Sequence, residues 1–216
     1  MEHNRDLASY IDSCAAHRPE AVAIEFEDRS STYLQLSNNI ETVANGLYDL
    51  GVRRTNRVAW LGHNHPLAIE ILFACSRLGA IYLPLNSRLT VAEHQWILDD
   101  ASPTVLVAET DFIEHANAAL IASELNVCTS ADLYSTSPSA PRTGEANDDV
   151  LLAYTSGTTG RPKGAVLTQN ALVANAVNAT HAHDFSSDDR VLTLLPLFHV
   201  GGLNIQTLPA LFAGAA

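Results

Sequence analysis

The sequence predicts an α/β fold in which layered sheets carry helices on both faces. Continuously apolar segments of strand length cover residues 57–61, 80–85 and 103–108, and helical patterns lie between them. Strands that are apolar on both sides are typical of a parallel sheet buried between helices. The connections are short, which fits right-handed crossovers between parallel strands.

The first elements are a helix over residues 6–17 and a β-rich run over residues 21–26. Thr32 and Gln35 then form a capping box, in which each side chain satisfies a backbone N–H at the helix start. The helix that follows carries one apolar stripe and ends at Gly51. The stripe consists of Leu36, Ile40, Val43, Leu47 and Leu50.

Each of the three apolar strands is followed by a helix. The first of these helices covers residues 67–78, and Thr90 and Glu93 open the second with another capping box. The third is a helical pattern over residues 111–125. This alternation is the basis for the parallel sheet.

The composition divides the chain into three predicted parts. Residues 1–128 form a first α/β subdomain, and residues 129–149, rich in Ser, Thr, Pro and acidic residues, form a linker. Residues 150–216 are the start of a second α/β subdomain, which carries the phosphate loop described below. In this last part we expect a strand over 150–154, a helix from Thr168 and a strand over 190–195.

The composition also excludes several classes of protein. Of the 216 residues, 47% are hydrophobic and 17% are charged, which is typical of a globular chain. The 12 basic residues against 24 acidic ones give a net charge of −12, which argues against nucleic acid as a partner. Cys14, Cys75 and Cys128 are predicted to be reduced and buried, as in a cytoplasmic protein. We see neither a signal peptide nor an apolar run of about eighteen residues, so we expect no transmembrane segment.

A segment rich in glycine and hydroxyl groups directly follows the strand over residues 150–154. Its glycines, Gly157, Gly160 and Gly164, permit a positive φ and let backbone N–H groups approach an oxyanion closely. Hydroxyl groups add donors, and a lysine ammonium suits phosphate. At the carboxyl edge of a sheet this combination predicts a phosphate-binding site. The predicted phosphate-binding residues are Thr155, Ser156, Gly157, Thr158, Thr159, Gly160 and Lys163.

A plain surface turn and two better-known phosphate loops fit this segment less well. A hydroxyl-rich surface turn needs one or two glycines, but not three together with a lysine. The Walker pattern requires a glycine before its lysine and a hydroxyl after it, whereas Pro162 precedes Lys163 and Gly164 follows it. The dinucleotide fingerprint G-x-G-x-x-G is absent.

Residues 154–164 resemble the phosphate-loop signature of the adenylate-forming superfamily, which includes acyl-CoA synthetases, peptide-synthetase adenylation domains and luciferases. Residues 74–86 are similar to its earlier helix–strand motif, and residues 195–203 to its substrate-side motif. The resemblance implies the N-terminal portion of the large adenylate-forming domain, truncated, since family members run to more than twice this length. The detailed sequence of these motifs resembles that of bacterial fatty-acid or aryl acyl-CoA ligases.

The resemblance implies a reaction in which ATP and a small carboxylic acid give acyl-AMP, and the acyl group then passes to coenzyme A. The segment from Thr155 to Lys163 would hold the β- and γ-phosphates, with Mg²⁺ sharing their charge. The family's adenine, ribose and catalytic-lysine parts have no counterpart in this sequence, so we expect no catalytic residue in this chain and no activity from it alone. Two alternative functions remain. One is a non-catalytic relic or interaction module. The other is an unrelated phosphotransferase, which the residues on either side of the lysine disfavour.

The substrate-side motif contains His199, Gly201 and Gly202. The resemblance places His199 beside the acyl-substrate pocket and the two glycines close to the acyl chain. A histidine bonded to the backbone and a turn that starts a helix are the alternatives. No metal ligand is predicted, because no further ligand at suitable spacing completes a site with the paired histidines His63 and His65 or His181 and His183.

Overall fold

The computed structural model describes residues 6–120, 125, 127–134, 139–155 and 162–216. Its strands are β1 (Val22–Phe26), β2 (Arg29–Thr32), β3 (Arg57–Leu61), β4 (Ile81–Pro84), β5 (Val105–Ala108), β6 (Val127–Cys128), β7 (Asp149–Thr155) and β8 (Lys163–Thr168). β1 and β2 form a separate antiparallel pair, and the other strands form a six-stranded sheet in the order β6-β5-β3-β4-β7-β8. Neighbours in this sheet are parallel except β7 and β8.

Helices cover both faces of this sheet, which confirms the predicted α/β class. They are α1 (Ala8–His17), α2 (Tyr33–Asp49), α3 (Pro66–Leu78), α4 (Val91–Ala101), α5 (Ile113–Ala119), α6 (Ser130–Leu133), α7 (Gln169–His183), α8 (Val200–Gly202) and α9 (Leu208–Ala213). A 3₁₀ turn, Thr110–Phe112, precedes α5, and a π-helical segment, Leu203–Thr207, joins α8 to α9. Within the described ranges, no helix has the length and apolar character needed to cross a membrane.

The two faces of the sheet pack into two hydrophobic clusters. Val58 and Trp60 of β3 belong to the cluster that contains residues of α1, α2 and α3. Ala59 and Leu61 of the same strand belong to the cluster that contains residues of α4 and α5. Because successive side chains of a strand point to opposite faces, an all-apolar strand fills both clusters at once.

The predicted helix starts are confirmed. The backbone N–H of Gln35 donates to the Thr32 hydroxyl over 3.2 Å, and the Gln35 side chain accepts from the Thr32 N–H over 2.9 Å. Thr90 and Glu93 form the second capping box at the start of α4. Thr168 caps α7 by accepting from the N–H of Ala171. These contacts lie within four consecutive residues, so the sequence alone is enough to predict them.

The prediction of a strand over residues 190–195 is wrong. The structure assigns no strand to this segment. The Val191 N–H donates to the carbonyl of Ala216, and the N–H of Ala216 donates to the carbonyl of Asp189. Leu192 and Leu194 are 74% and 77% exposed. A strand requires a neighbour along its length, and among the described residues this segment has such backbone bonds only at its start.

Three further differences concern strands and helix ends. β2, β6 and β8 were not predicted, and the helix predicted to reach Leu125 ends at Ala119, with residues 121–124 outside the described ranges. Within the predicted linker, residues 130–133 form α6. The division into two subdomains remains a prediction, and the structure adds that β7, after the linker, pairs with β4 in the same sheet.

All three cysteines are free, as predicted, although they differ in burial. Cys75 and Cys128 are buried, whereas Cys14 is only half-buried. Burial raises the pKa of the Cys75 thiol, which therefore stays protonated.

Candidate functional site

Several connections meet at the carboxyl edge of the sheet. β3, β4, β5 and β7 run in the same direction, so the chain leaves the sheet at one edge after Leu61, Pro84, Ala108 and Thr155. Ligands of α/β proteins bind at this edge, because side chains and backbone N–H groups from several connections converge there. The predicted phosphate-binding segment is one of these connections.

The two described ends of the phosphate-binding segment lie side by side. Thr155 ends β7, Lys163 begins β8, and the two residues are partners in the antiparallel ladder. The Thr155 hydroxyl donates to the Lys163 carbonyl over 3.5 Å. The segment is therefore held at both ends by one pair of strands. The remaining predicted residues lie outside the described residues, so their role stays a prediction: Ser156, Gly157, Thr158, Thr159 and Gly160.

Lys163 is the only lysine in the sequence. Its side chain is exposed at the carboxyl edge, and no ion pair with another described residue is found for it. An exposed ammonium group without a carboxylate partner is available for an anion. The position therefore suits the predicted phosphate contact.

Gly164 has a different role from the one predicted for the glycines of this segment. It lies in β8 opposite Tyr154, and it does not have a positive φ. A Cβ at this position would lie 2.7 Å from Cδ1 of Leu152 and 3.3 Å from Cζ of Tyr154. Gly164 thus leaves space for the aromatic ring across the ladder, and does so without a special backbone conformation.

Tyr154 connects this strand pair to α4. Its hydroxyl donates to a carboxylate oxygen of Asp100, and its ring meets the Trp96 ring edge-on at 6.1 Å between centroids. Burial and the neighbouring carboxylate of Asp100 raise the pKa of Tyr154, so the hydroxyl stays protonated and keeps donating. The strand next to the phosphate-binding segment is therefore fastened to the helix layer.

The substrate-side motif forms the start of a helical stretch. His199 is exposed and caps α8, and its Nδ1 accepts from the Gly201 N–H over 2.9 Å. A Cβ on Gly202 would lie 2.2 Å from the carbonyl oxygen of Pro196. The observed contacts are those of the alternative interpretation, a backbone-bonded histidine and a helix-start turn. The acyl-pocket role of His199, Gly201 and Gly202 stays a prediction.

Sequence reasoning missed Asn64, which follows β3 at the carboxyl edge. Its Nδ2 donates to the Leu195 carbonyl over 3.0 Å, and its Oδ1 accepts from the Leu197 N–H over 2.8 Å. One side chain thus holds both sides of a turn more than a hundred residues away. The sequence offers no local signal for this contact. Asn64 stands between two histidines in a loop, and nothing near it in the sequence indicates its partner.

His94 and His115 were also missed. His94 is fully buried, and its Nε2 donates to the carbonyl of Asn86, which follows β4. Its Nδ1 must then accept, so the Nε2–H of His115 donates to it over 2.8 Å. Burial, and next the neighbouring His115, lower the pKa of His94 to about 4. The neutral His94 ring, together with its partner His115, therefore supports the connection after β4.

A cavity of about 310 Å³ lies beside the turn that Asn64 holds. Its described walls come from β1, the start of α3, residues 191–193 and α9, and they include Leu197. His199, Gly201 and Gly202 do not line it. These three predicted acyl-pocket residues therefore lie outside the described walls of the cavity.

A protein-family model described as AMP-binding enzyme matches residues 11–216. The chain belongs to this family. The match covers the sheet, the phosphate-binding segment and the substrate-side motif together. It confirms the resemblance to the adenylate-forming superfamily.

Two curated relatives of this chain are named as a CoA ligase and a CoA synthase. The indoleacetate–CoA ligase of Aromatoleum aromaticum is 43% identical over 97% of this chain. The feruloyl-CoA synthase of an Amycolatopsis species is 42% identical over 98% of this chain. The chain spans only 44% and 43% of the lengths of these two relatives.

A solved structure of the family supports the same fold. The ATP-bound MatB from Rhodopseudomonas palustris superposes with a TM-score of 0.85 and is 28% identical. The match covers 98% of this chain and 44% of that one.

The described residues of the chain do not form a metal site. Among them, no group of three or more His, Cys, Asp or Glu side chains could hold an ion. The predicted Mg²⁺ therefore has no protein cage in the described part of the chain, and we assign it no ligand. Of the residues predicted to contact phosphate, Lys163 is the described one that carries a charge.

Proposed function

We propose that this chain is the N-terminal part of an acid–thiol ligase that forms acyl-AMP from a carboxylic acid and ATP and passes the acyl group to coenzyme A. One observation carries the proposal. In a chain that belongs to the AMP-binding enzyme family, Thr155 and Lys163 anchor a glycine- and hydroxyl-rich segment at the carboxyl edge of the sheet. The ATP-bound relative MatB supports ATP as the nucleotide.

Two kinds of group in the segment interact with the triphosphate. Backbone N–H groups and hydroxyls of residues 155–160 donate to the β- and γ-phosphate oxygens, and the Lys163 ammonium supplies a positive charge. When the carboxylate attacks the α-phosphorus, negative charge grows on the leaving pyrophosphate. Donors already aimed at those oxygens stabilise this charge in the transition state. Mg²⁺ shares the phosphate charge when it is bound with ATP.

An aromatic carboxylic acid is the proposed substrate class. The two curated relatives described above are named for aromatic acids, indoleacetate and ferulate. Within this proposal, His199, Gly201 and Gly202 line the acid pocket, and a fatty acid is the alternative substrate. The proposed cellular location is the cytoplasm, which the three free cysteines and the use of ATP and CoA support.

The test uses a joined ligase, in which residues 1–216 replace the matching part of the indoleacetate–CoA ligase of Aromatoleum aromaticum. We expect exchange of pyrophosphate into ATP that depends on added indoleacetate. Lys163→Ala should slow this exchange by about 10²-fold, the usual effect of removing one charge-stabilising donor. Arg190→Ala, which removes an exposed arginine paired with Glu25, is the control and should leave exchange unchanged.

A joined ligase that unfolds cooperatively but shows no acid-dependent exchange would contradict the proposal and support the non-catalytic alternative. ATP turnover without acid would support the unrelated phosphotransferase. If the joined ligase does not fold, the phosphate role of Lys163 can be tested in the 216-residue chain itself. Because Lys163 is its only lysine, tripolyphosphate should slow acetylation of this single side chain, measured by peptide mapping. Unchanged acetylation would contradict the phosphate role.

A further inference from the structure

Asn64 makes two complementary hydrogen bonds to a turn of the substrate-side motif. Its Nδ2 donates to the Leu195 carbonyl, and its Oδ1 accepts from the Leu197 N–H. An amide that bonds one carbonyl and one N–H of the same turn fixes both the position and the orientation of that turn. Asn64 itself lies between β3 and α3, two rigid elements of the core.

The opposite side of the turn is also closed. Gly202 approaches so closely that a Cβ there would lie 2.2 Å from the Pro196 carbonyl and 2.9 Å from the Leu195 carbonyl. Thr207 holds Gly202 in place, because its hydroxyl donates to the Gly202 carbonyl over 2.7 Å. The turn is therefore confined between the Asn64 amide and the helical stretch that follows it.

His199 comes directly after this turn and depends on it. Its N–H donates to the Pro196 carbonyl over 3.1 Å. Its Nδ1 accepts from the Gly201 N–H, and a ring nitrogen that accepts a backbone N–H carries no proton. The neutral ring therefore has its proton on Nε2. The side chain is exposed, and no hydrogen bond from Nε2 to another described residue is found, so this Nε2–H can donate to a ligand.

We propose that Asn64 is a positioning residue, which holds the turn over residues 195–197 and thereby keeps the exposed His199 as an Nε2–H donor. In the ligase proposed above, on which this part of the inference rests, the donor binds a carboxylate oxygen of the acid. A ring protonated at Nε2 cannot take a proton there. His199 therefore binds and orients the acid, and it does not act as a general base through that nitrogen.

The first test uses the 216-residue chain and does not depend on enzymatic activity. Nitrogen-15 NMR of the histidine rings reports which nitrogen carries the proton. We expect the wild-type chain to show His199 as a single Nε2–H tautomer. Asn64→Ala should give a mixture of tautomers, and Asn64→Asp, which keeps the acceptor for Leu197, should give a smaller change.

The matched control is Asn45→Ala. Asn45 is also half-buried, and its Oδ1 accepts a distant backbone N–H, that of Ala140, over 2.7 Å. It lies away from the carboxyl edge, so this variant should lose stability without changing the His199 signals. An unchanged His199 tautomer in Asn64→Ala or, if that variant does not fold, in Asn64→Asp would overturn the proposal.

The second test uses the joined ligase. Asn64→Ala should raise KM for the acid about tenfold and leave KM for ATP unchanged, since only the acid contact is displaced. Equal loss for both substrates would mean a general structural role and would contradict the proposal. If the wild-type joined ligase is inactive, the proposed function fails, whereas the NMR result still decides whether Asn64 positions His199.

Discussion

At the scale of single residues, His94 shows how burial decides the protonation of a side chain. It has no exposed surface, yet both of its ring nitrogens are hydrogen-bonded, one to the Asn86 carbonyl and one to His115. Charging a group in such a place costs solvation, and a neighbouring imidazole adds repulsion once it is protonated. Both effects lower the pKa of His94 to about 4, from an ordinary value of 6.5.

This shift predicts how stability depends on pH. The folded pKa lies below the unfolded one, so as the pH falls through 6.5 the unfolded chain binds protons first, and stability is lost down to about pH 4. Between pH 7 and pH 5, the free energy of unfolding of the wild-type chain should fall about 2 kcal/mol more than that of His94→Gln. Urea unfolding at both pH values measures this difference.

His181→Gln is the control for this experiment, because His181 is exposed on α7. It should keep the pH dependence of the wild-type chain. Equal pH dependence in the wild-type chain and His94→Gln would mean that the buried imidazole is protonated without cost, contrary to the structure.

The predicted and the missed site residues differ in the range of their contacts. Thr155 and Lys163 were predicted because their chemistry and spacing are visible within one short segment. Asn64 was missed because its partner turn lies more than a hundred residues further along the chain. A side chain whose role depends on a distant backbone group has no signature in the local sequence. Only the packed sheet brings the two together.

At the scale of elements, Arg142 fastens the predicted linker to the first helix. Its guanidinium makes two hydrogen bonds with the carboxylate of Asp6, both 2.6 Å, and a third with Asp12, also 2.6 Å. Asp6 is only 4% exposed. A planar guanidinium matches a carboxylate in this bidentate geometry better than an ammonium group does.

Arg142→Ala should destabilise the chain by about 2 kcal/mol, because it leaves the buried Asp6 carboxylate without its charged partner. Arg142→Lys should lose about half as much, since lysine keeps the charge but not the paired geometry. Chemical unfolding measures both. Arg190→Ala removes an ion pair with Glu25 whose side chains are 73% and 47% exposed, and it should change stability by less than about 0.5 kcal/mol. Equal losses of stability in Arg142→Ala and Arg190→Ala would show that the burial of Asp6 does not strengthen its ion pair.

The starts of capped helices were predicted from local signals, whereas two errors in the strand predictions have a non-local physical cause. The helices that Thr32 and Thr90 cap are specified by side chains three residues apart. A strand is specified by its neighbour as well as by its own pattern. β8 exists because β7 lies beside it, and the apolar residues 190–195 do not form a strand, despite a suitable pattern. Strand existence is thus a property of the sheet, which a single segment does not encode.

At the scale of the whole molecule, the structure supplies a scaffold for one part of the proposed reaction. The sheet, with helices on both faces, fixes the carboxyl edge on which Thr155, Lys163 and Asn64 stand. The chain spans less than half of the length of the relatives it matches. We therefore propose that it contributes to binding of the triphosphate tail and the acid, and that acyl transfer needs further contacts from the rest of the ligase.

We therefore expect the 216-residue chain alone to form no detectable acyl-AMP or CoA thioester from ATP, CoA and an aromatic acid. Rate enhancement comes from donors that act together in the transition state, and each one missing costs about 10²- to 10³-fold. Chromatographic detection of AMP and thioester measures the outcome, with the joined ligase as the positive control. Lys163→Ala gives the background. Acid-dependent AMP release by the chain above this background would show that residues 1–216 already contain the catalytic groups.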